Sequence, residues 1–265
     1  MPELPEVETI RKDLEKVILS KKISNHKILL KRTFHNEKKI DFYGKIADIS
    51  RVGKYLVISI EKKCKLLIHL RMTGKLIYIN KNDVYDQKHV KVIFYFSGGD
   101  AIIFHDVRTF GIIEVLPMSI NIQEYKKIGC DALSHDFHEN YLKHICDRKI
   151  PIKNLLLDQS VIAGIGNIYA QEILFMAKIS PIRIANTLSV QEIKKIIKHT
   201  KKILNLALIH NGTSISDFRR VDDKTGEFQN FLKVYGKAVC PICDNKLIII
   251  KQGGRTTRYC DICQH

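Results

Sequence analysis

Residues 90–104 read VKVIFYFSGGDAIIF, a stretch in which two apolar runs flank the turn sequence SGGD. From Val90 to Phe96 every second residue is apolar, which is the period of a β-strand with one face in a core. Gly98 and Gly99 suit a tight reversal, and AIIF continues as a partner strand. The stretch predicts an antiparallel β-hairpin.

The same period of two extends over the surrounding chain, from about residue 28 to residue 116. Several short strands at this spacing favour an antiparallel β-sandwich or a barrel. Residues 4–19 instead repeat apolar side chains every three or four positions, as one face of an α-helix does. The first half of the chain therefore predicts an α+β fold, with an N-terminal helix followed by an antiparallel β-sandwich.

Beyond these strands the alternation stops, and residues 117–134 predict a linker. A helical period then predicts helices over residues 139–147, 152–157, 168–178 and 189–209. The last of these begins with Ser189 and Glu192 in a capping box and ends before Gly212. The second half of the chain is therefore predicted to be helical.

The length of 265 residues suits one large or two modest domains, at roughly 100–200 residues each. We predict a β-sandwich domain over residues 1–131, a helical domain over 132–235 and a C-terminal hairpin over 236–265. No apolar run approaches the ~20 residues of a membrane span, and the first residues lack a signal-peptide pattern. We therefore expect a cytoplasmic protein that does not insert into membranes.

The charge is strongly basic, with 44 Lys and Arg against 28 Asp and Glu and a formal net charge of +16. Such a surface attracts polyanions, most simply nucleic acid. A lysine-rich proteome, in which basicity is only background, is the alternative.

Four of the seven cysteines form two CxxC pairs, Cys240 with Cys243 and Cys260 with Cys263. Each pair can offer two thiolates to one tetrahedral zinc ion, and the intervening residues suit a hairpin. Because all four ligands come from the protein, we expect one structural zinc. Two redox CxxC motifs are the alternative. Cys64, Cys130 and Cys146 lie outside the pattern and are expected to be inert.

The N-terminus, Met1-Pro2-Glu3, admits two interpretations. A proline at position two normally allows removal of the initiator methionine, which leaves a secondary amine able to attack an electrophilic carbon. Glu3 could then move protons. Alternatively, proline and acidic residues simply favour the start of a helix.

A glycine-containing turn, Gly164-Ile165-Gly166-Asn167, precedes one predicted helix. Asn167 is predicted to be its N-cap. Backbone N–H groups at this helix start, with Lys149 and Lys153 nearby, could bind phosphate. An ordinary connection between helices is the alternative.

Taken in order, these motifs resemble the formamidopyrimidine-DNA glycosylase family and its endonuclease VIII relatives. The matching stretches are PELPEVE at residues 2–8, GKYL at 53–56, HLRMTG at 69–74, DVRTFG at 106–111, LLLDQSVIAGIGNIYAQEILF at 155–175, GTSISDF at 212–218, FQNFLKVYG at 228–236 and GRTTRYCDICQ at 254–264. The resemblance implies a helix-two-turn-helix DNA-binding domain after the β-sandwich and a zinc hairpin at the end.

The resemblance also implies catalytic roles. Pro2 would attack C1′ of a damaged nucleotide, and Glu3 would act as the acid/base for opening of the sugar ring. Lys54 would assist β-elimination, and Arg255 would contact the flanking phosphate and assist δ-elimination. Without the resemblance, Lys54 would be read as a solvated lysine at the end of a strand.

Contacts with DNA are implied as well. Met72, Arg108 and Phe110 would fill the gap left by a flipped nucleotide, although by themselves Met72 and Phe110 would be read as core residues. The implied phosphate contacts are His89, Lys149, Lys153 and Asn167, and residues 213–228 would close over the flipped base.

The expected activity is that of a bifunctional DNA glycosylase and abasic-site lyase, a monomer that removes oxidised purines from double-stranded DNA. PELPEV and the Arg-x-Phe at residues 108–110 favour this branch, whereas HNGT at 210–213 and VDDKTG at 221–226 depart from the family pattern and leave the lesion preference open. Alternatives are a glycosylase for oxidised pyrimidines, a non-catalytic binder of damaged DNA and a zinc-ribbon transcription accessory.

Overall fold

A computed structural model describes residues 1–215 and 218–265 of the chain. It divides into two compact units. The first unit comprises Met1–Tyr125 and His210–Glu227, and the second comprises Lys126–Ile209 and Phe228–His265. We call His210–Glu227 the return segment. The predicted division at residues 131 and 235 follows the chain in order and gives no indication that this segment packs with the first unit.

The first unit contains two helices and nine strands. The helices are α1 (Leu4–Ile18) and α2 (Ile122–Tyr125). The strands are β1 (Lys22–Ile28), β2 (Phe34–His35), β3 (Gly44–Val52), β4 (Tyr55–Ile60), β5 (Cys64–His69), β6 (Gly74–Ile79), β7 (Val90–Phe96), β8 (Ala101–Asp106) and β9 (Ile112–Pro117).

These strands form the predicted β-sandwich. Their order is β2-β9-β5-β4-β3-β1-β7-β8-β6, and a short pairing of β1 with β3 joins the two halves. One apolar core contains side chains from both halves, for example Ile58 and Leu66 from one and Phe94 and Phe104 from the other. Strands β7 and β8 pair antiparallel, with Phe94 opposite Ile102, so the hairpin predicted from residues 90–104 is confirmed.

Helix α1 lies on this core with the apolar face that its sequence predicts. Val7, Ile10, Leu14 and Ile18 are all buried and belong to the same cluster. Strand β1, by contrast, begins before the predicted strand region. Ile23 is its one buried residue, so the strand carries almost no alternation from which to predict it.

The second unit contains four helices and four short strands among the described residues. The helices are α3 (Glu139–Ile145), α4 (Ile152–Leu157), α5 (Asn167–Ala177) and α6 (Val190–Ile209). The strands are β10 (Cys130–Asp131), β11 (Ile162–Ala163), β12 (Ile248–Gln252) and β13 (Arg255–Tyr259). All four predicted helices are present. No helix in the described parts of the chain is both long and apolar enough to cross a membrane.

Residues 117–134 are more ordered than the linker predicted for them. Their strand β10 pairs in parallel with β11, and the backbone N–H of Ala132 donates to the carbonyl of Ala163 at 3.0 Å. A Cβ at Gly129 would lie 2.2 Å from the carbonyl oxygen of Val161. This close approach requires glycine, and residues so far apart in sequence give no periodic signal.

The helix ends are mostly as predicted. Ser189 and Glu192 form the expected capping box of α6, with the Ser189 N–H donating to the Glu192 carboxylate at 2.7 Å. The prediction for α5 is wrong by one residue, because Gly166 is the N-cap and Asn167 is the first residue of the helix. The Asn167 side chain is instead engaged in contacts with other elements of the second unit.

Candidate functional site

The N-terminus of the first unit is enclosed in protein. Pro2 and Glu3 are buried, whereas Met1 is exposed. Glu3 is the N-cap of α1, and its backbone N–H donates to the Glu6 carboxylate at 2.8 Å. Acidic side chains are favourable at this positive end of a helix. The first turn of α1 thus fixes Pro2 and Glu3 against the body of the unit.

Glu6 also binds the return segment, a role that the sequence analysis missed. The backbone N–H of Thr213 donates to the second oxygen of the Glu6 carboxylate at 2.7 Å. Gly212 has a φ of +81° beside it, and a Cβ there would lie 3.0 Å from Cγ of Glu6. The spacing of Glu3 and Glu6 fits a capping box, which is the one sequence signal that could have indicated Glu6.

Lys54 lies in the turn between β3 and β4, and only 5% of it is exposed. The alternative of a solvated lysine is therefore wrong. Arg51 shapes this turn, because Nη1 donates to the Gly53 carbonyl at 2.8 Å while Nε pairs with Glu8 of α1 at 3.0 Å. The ion pair connects the Lys54 turn directly to the helix that follows Pro2.

Met72 and Phe110 project from the β-sandwich and are 41% and 58% exposed. The alternative that they are core residues is therefore wrong. Met72 lies between β5 and β6, and Arg108 and Phe110 lie between β8 and β9. A guanidinium nitrogen of Arg108 is 3.3 Å from Sδ of Met72. The structure thus brings Arg108 and Met72 into contact on the surface of the unit.

His89 immediately precedes β7 and is half-buried. Its backbone has a φ of +67°, and its carbonyl accepts from the backbone N–H of Asp106 at 2.9 Å. The ring of His105 lies 5.7 Å from its own ring, edge to face. The backbone of His89 is therefore fixed by the end of β8, and its phosphate contact stays a prediction.

In the second unit, Lys153 and Asn167 form one hydrogen-bonded group. Lys153 is fully buried, and its ammonium donates to Oδ1 of Asn167 and to Oγ1 of Thr257, both at 2.7 Å. The Asn167 amide nitrogen donates to the Thr256 carbonyl at 3.2 Å. These contacts join α4, α5 and β13. They place the Lys153 charge inside the unit, and its predicted contact with phosphate stays untested.

Gln171 completes this group and was not predicted. Its amide nitrogen donates to the carbonyls of Asn167 and Thr256 at 2.7 and 3.3 Å, and its oxygen accepts from the Arg258 N–H at 2.7 Å. One buried amide thus satisfies backbone groups of a helix and of a strand some 90 residues away in sequence. No local pattern marks it.

Arg255 and Lys149 are both exposed, as residues that contact a polyanion need to be. Arg255 begins β13, directly after the turn at Gly253 and Gly254, whose φ angles are +56° and +72°. Lys149 precedes α4. No contact between these two cations and the Lys153 group is recorded, so their roles remain predictions.

The four CxxC thiols come together at one point, with all sulfur atoms within 4.8 Å of one another. The Cys240–Cys263 and Cys243–Cys260 sulfur distances are 3.9 and 3.5 Å. A tetrahedral zinc with Zn–S bonds of ~2.3 Å separates its sulfurs by about 3.8 Å. The cluster can therefore bind a metal ion, and it leaves no ligand position open.

The remaining cysteines lie apart from this cluster. Burial raises the pKa of Cys64 and Cys130 to about 11 and that of Cys146 to about 12. Their thiols are protonated at neutral pH and are therefore poor nucleophiles and poor metal ligands. Of the loop predicted to close over a flipped base, Ser216 and Asp217 lie outside the described residues.

Comparison with known proteins agrees with this arrangement over the whole chain. Residues 1–113 match the family model of the formamidopyrimidine-DNA glycosylase N-terminal domain, and residues 128–219 match that of the formamidopyrimidine-DNA glycosylase H2TH domain. A formamidopyrimidine-DNA glycosylase from Carboxydothermus hydrogenoformans is 42% identical over 273 residues, covering 100% of both chains.

Solved structures are similar as well. A Lactococcus lactis FPG mutant in complex with DNA that contains Fapy-dG superposes with a TM-score of 0.91, at 36% identity and 99% coverage of both chains. The wild-type Lactococcus lactis FPG in complex with DNA that contains an oxidised pyrimidine superposes with a TM-score of 0.90, at 35% identity and the same coverage.

Proposed function

The chain belongs to the formamidopyrimidine-DNA glycosylase family and is a DNA glycosylase for oxidised bases, and on that premise we propose that it removes oxidised purines and then cleaves the DNA strand. The observation that carries this proposal is the enclosed N-terminus, where Pro2 and Glu3 are buried at the start of α1. Its bacterial relatives and its DNA substrate favour a monomeric enzyme acting in the cytoplasm.

The proposed nucleophile is the nitrogen of Pro2 after removal of Met1. While Met1 is attached this nitrogen is an amide, whereas the free secondary amine can attack C1′ of the damaged nucleotide and expel the base. Glu3 would protonate the sugar oxygen as the ring opens, giving a Schiff base between Pro2 and C1′. The Glu6 contact with the Glu3 N–H supports a fixed geometry for both residues.

The proposed lyase step uses the Lys54 turn and Arg255. Lys54 is held near the first turns of α1 by the Arg51–Glu8 ion pair, and an ammonium there would assist β-elimination of the 3′ phosphate. Arg255 would neutralise the phosphate that leaves in δ-elimination. Lys149 and Asn167 would bind flanking phosphates, with Lys153 and Gln171 holding Asn167 in place.

Access to C1′ requires extrusion of the damaged nucleotide, at a few kcal/mol for unstacking. Met72 and Phe110 are exposed apolar side chains of the kind that wedge into a base stack. Arg108 beside Met72 would bond the base left without a partner. We assign these three residues to filling the gap, and His89 to a phosphate contact.

We assign the four-cysteine cluster to one zinc ion. The sulfur distances and the tetrathiolate donor set suit zinc. A bound zinc would crosslink the hairpin of β12 and β13, and with four thiolates around it would take no part in the reaction. The hairpin carries Arg255, so its stability matters for binding of phosphate.

Oxidised pyrimidines are the second candidate substrate. The observation that favours them is the complex of the Lactococcus lactis relative with DNA that contains an oxidised pyrimidine. The described loop residues do not discriminate between the two lesion classes, so direct competition is required.

The test is to trap the Schiff base. Purified protein is incubated with a duplex containing 8-oxoguanine opposite cytosine, borohydride is added, and any adduct is mapped by mass spectrometry. We expect the adduct on Pro2, with Met1 absent. An adduct only with an oxidised pyrimidine would establish the second candidate, and tight binding without any adduct despite a free Pro2 would indicate a non-catalytic binder.

A matched pair of variants tests the lyase assignment. Lys54→Met should leave base excision nearly intact but slow strand cleavage by about a hundredfold, the usual contribution of an acid/base group. Lys12→Met removes an exposed lysine from α1 and should change neither step. Equal loss of both steps in Lys54→Met would show that Lys54 stabilises the fold and does not take part in elimination.

A further inference from the structure

Resting on the proposed function, we propose that Asp106 and Thr73 are positioning residues for the three side chains that fill the gap in the duplex. Asp106 ends β8 and is fully buried. One carboxylate oxygen accepts from the hydroxyl of Thr73, and the other accepts from the backbone N–H of Gly111 at 2.7 Å. A single carboxylate therefore joins the turn after β5 to the loop after β8.

Thr73 extends this connection to Arg108. While its hydroxyl donates to Asp106, its oxygen accepts from the backbone N–H of Arg108 at 3.0 Å. Thr73 directly follows Met72, and Arg108 and Gly111 flank Phe110. Asp106 and Thr73 thus bond to backbone on both sides of the exposed side chains without being exposed themselves.

The two turns need this support because neither has a regular backbone of its own. Arg71 has a φ of +55° and Thr109 a φ of +60°, and both are non-glycine residues in the left-handed region, where a side chain is disfavoured. A Cβ at Gly111 would lie 2.4 Å from the Phe104 ring. Hydrogen bonds from outside each turn must therefore hold these conformations.

Packing cannot substitute for those bonds, since Met72 and Phe110 are largely exposed. The contact of Arg108 with the Met72 sulfur is a weak one. The separation of wedge, arginine and aromatic ring is consequently set by the backbone, and Asp106 is the group that both backbones share. Its own backbone N–H also donates to the carbonyl of His89, so a third loop depends on the same residue.

The experiment separates insertion into duplex from chemistry. The variant Thr73→Val removes the hydroxyl but keeps the shape, and Thr73→Ser restores it. Excision is measured on an 8-oxoguanine duplex, and strand cleavage on a single-stranded abasic site, which needs Pro2 but leaves no gap to fill. Insertion is followed by fluorescence of 2-aminopurine placed beside a tetrahydrofuran abasic analogue in duplex DNA.

We expect Thr73→Val to slow duplex excision by about tenfold or more and to reduce the fluorescence change, because two buried hydrogen bonds are lost. Cleavage of the single-stranded abasic site should stay within about twofold of wild type, and Thr73→Ser should recover both duplex signals. Asp106→Asn should act in the same direction and more strongly, since an amide cannot accept from both donors.

The control is Thr33→Val, because Thr33 is also fully buried in the first unit and its hydroxyl has no hydrogen-bond partner among the described residues. Wild-type behaviour of Thr73→Val, or parallel loss on duplex and single strand, would overturn the proposal. The fluorescence change requires binding without catalysis, so it tests Asp106 and Thr73 even if borohydride trapping of Pro2 fails.

Discussion

In the first unit, helix α1 holds distant segments through its carboxylates, whereas in the second unit helix α5 holds the C-terminal hairpin mainly through amide groups. Glu8 pairs with Arg51 at 3.0 Å, and Asp13 pairs with both nitrogens of Arg220 at 2.9 and 3.0 Å. In α5, Gln171 does the corresponding work with no charge, and the hairpin adds the four-thiol cluster.

This difference follows from burial. The ion pairs of α1 are partly exposed, where salt and water weaken each of them to about 1 kcal/mol. Gln171 is buried, where an unsatisfied backbone group costs about 1–3 kcal/mol. The first unit has a large apolar core and should tolerate the loss of any one pair. The hairpin is too small to fold alone and should depend on its crosslink.

The largest effect should follow removal of the metal. Cys243→Ser, or chelation, should unfold the hairpin that carries Arg255 and weaken DNA binding by about a hundredfold or more, because structural zinc contributes about 10–16 kcal/mol in isolated fingers. Metal content, DNA affinity and trypsin cleavage at Arg255 and Arg258 measure this. The control is Cys130→Ser, which lies outside the cluster.

If metal-free protein bound DNA as wild type does, the hairpin would be held by α5 alone. The comparison between the two units would then break at its main point. Hydrogen exchange of β12 and β13 in the metal-free protein would locate the remaining stability.

The next effect concerns Gln171. Gln171→Ala should lower the free energy of unfolding of the second unit by about 2–3 kcal/mol, because it leaves backbone groups of Asn167, Thr256 and Arg258 without their partner. Chemical denaturation followed by hydrogen exchange at β13 measures it. Gln191→Ala, at an exposed position of α6, should change stability by less than about 0.5 kcal/mol.

A smaller effect is expected at the pair that anchors the return segment. The hydrogen bonds from Arg220 to Asp13 raise the pKa of the guanidinium, although burial opposes them. Asp13→Asn should cost about 1–2 kcal/mol at low salt and less at high salt. A double-mutant cycle with Arg220→Gln isolates the pair.

Lys16 provides the control for this pair. Its ammonium is 4.0 Å from the same Asp13 carboxylate but is well exposed, so Lys16→Ala should change stability by less than about 0.5 kcal/mol. Coupling energies of equal size for Lys16 and Arg220 would show that burial does not set the strength of these pairs.

The smallest effect is a dependence on pH. Burial of the Asp100 carboxyl raises its pKa, but hydrogen bonds from Lys21 and Tyr78 outweigh burial and leave the pKa below its ordinary value. The folded state therefore binds this proton less readily than the unfolded state does. The stabilisation is fully present above the unfolded pKa of about 3.9 and is lost as pH falls through the lower folded pKa.

Asp100→Asn should accordingly destabilise the first unit by about 1 kcal/mol at pH 7, and the difference from wild type should shrink below about pH 4. Urea denaturation at a series of pH values measures it. A difference that grew on acidification would reverse the sign of the argument.

Short-range patterns in the sequence determined much of this protein. The alternation at residues 90–104, the apolar face of α1, the capping box at Ser189 and the paired CxxC motifs each involve neighbours along the chain. They were predicted correctly because strand and helix periods, caps and metal knuckles are local geometry. The order of motifs also sufficed to indicate the family.

Tertiary structure alone decided which residues support the site. Glu6 meets Thr213 across 207 positions, Asp106 meets Thr73 across 33, and Gln171 meets Arg258 across 87. It also decided that Lys54 is buried while Met72 is exposed. A period in the sequence specifies which face of an element is apolar, but the partner of a single polar group depends on which elements pack together, and that is a property of the whole folded chain.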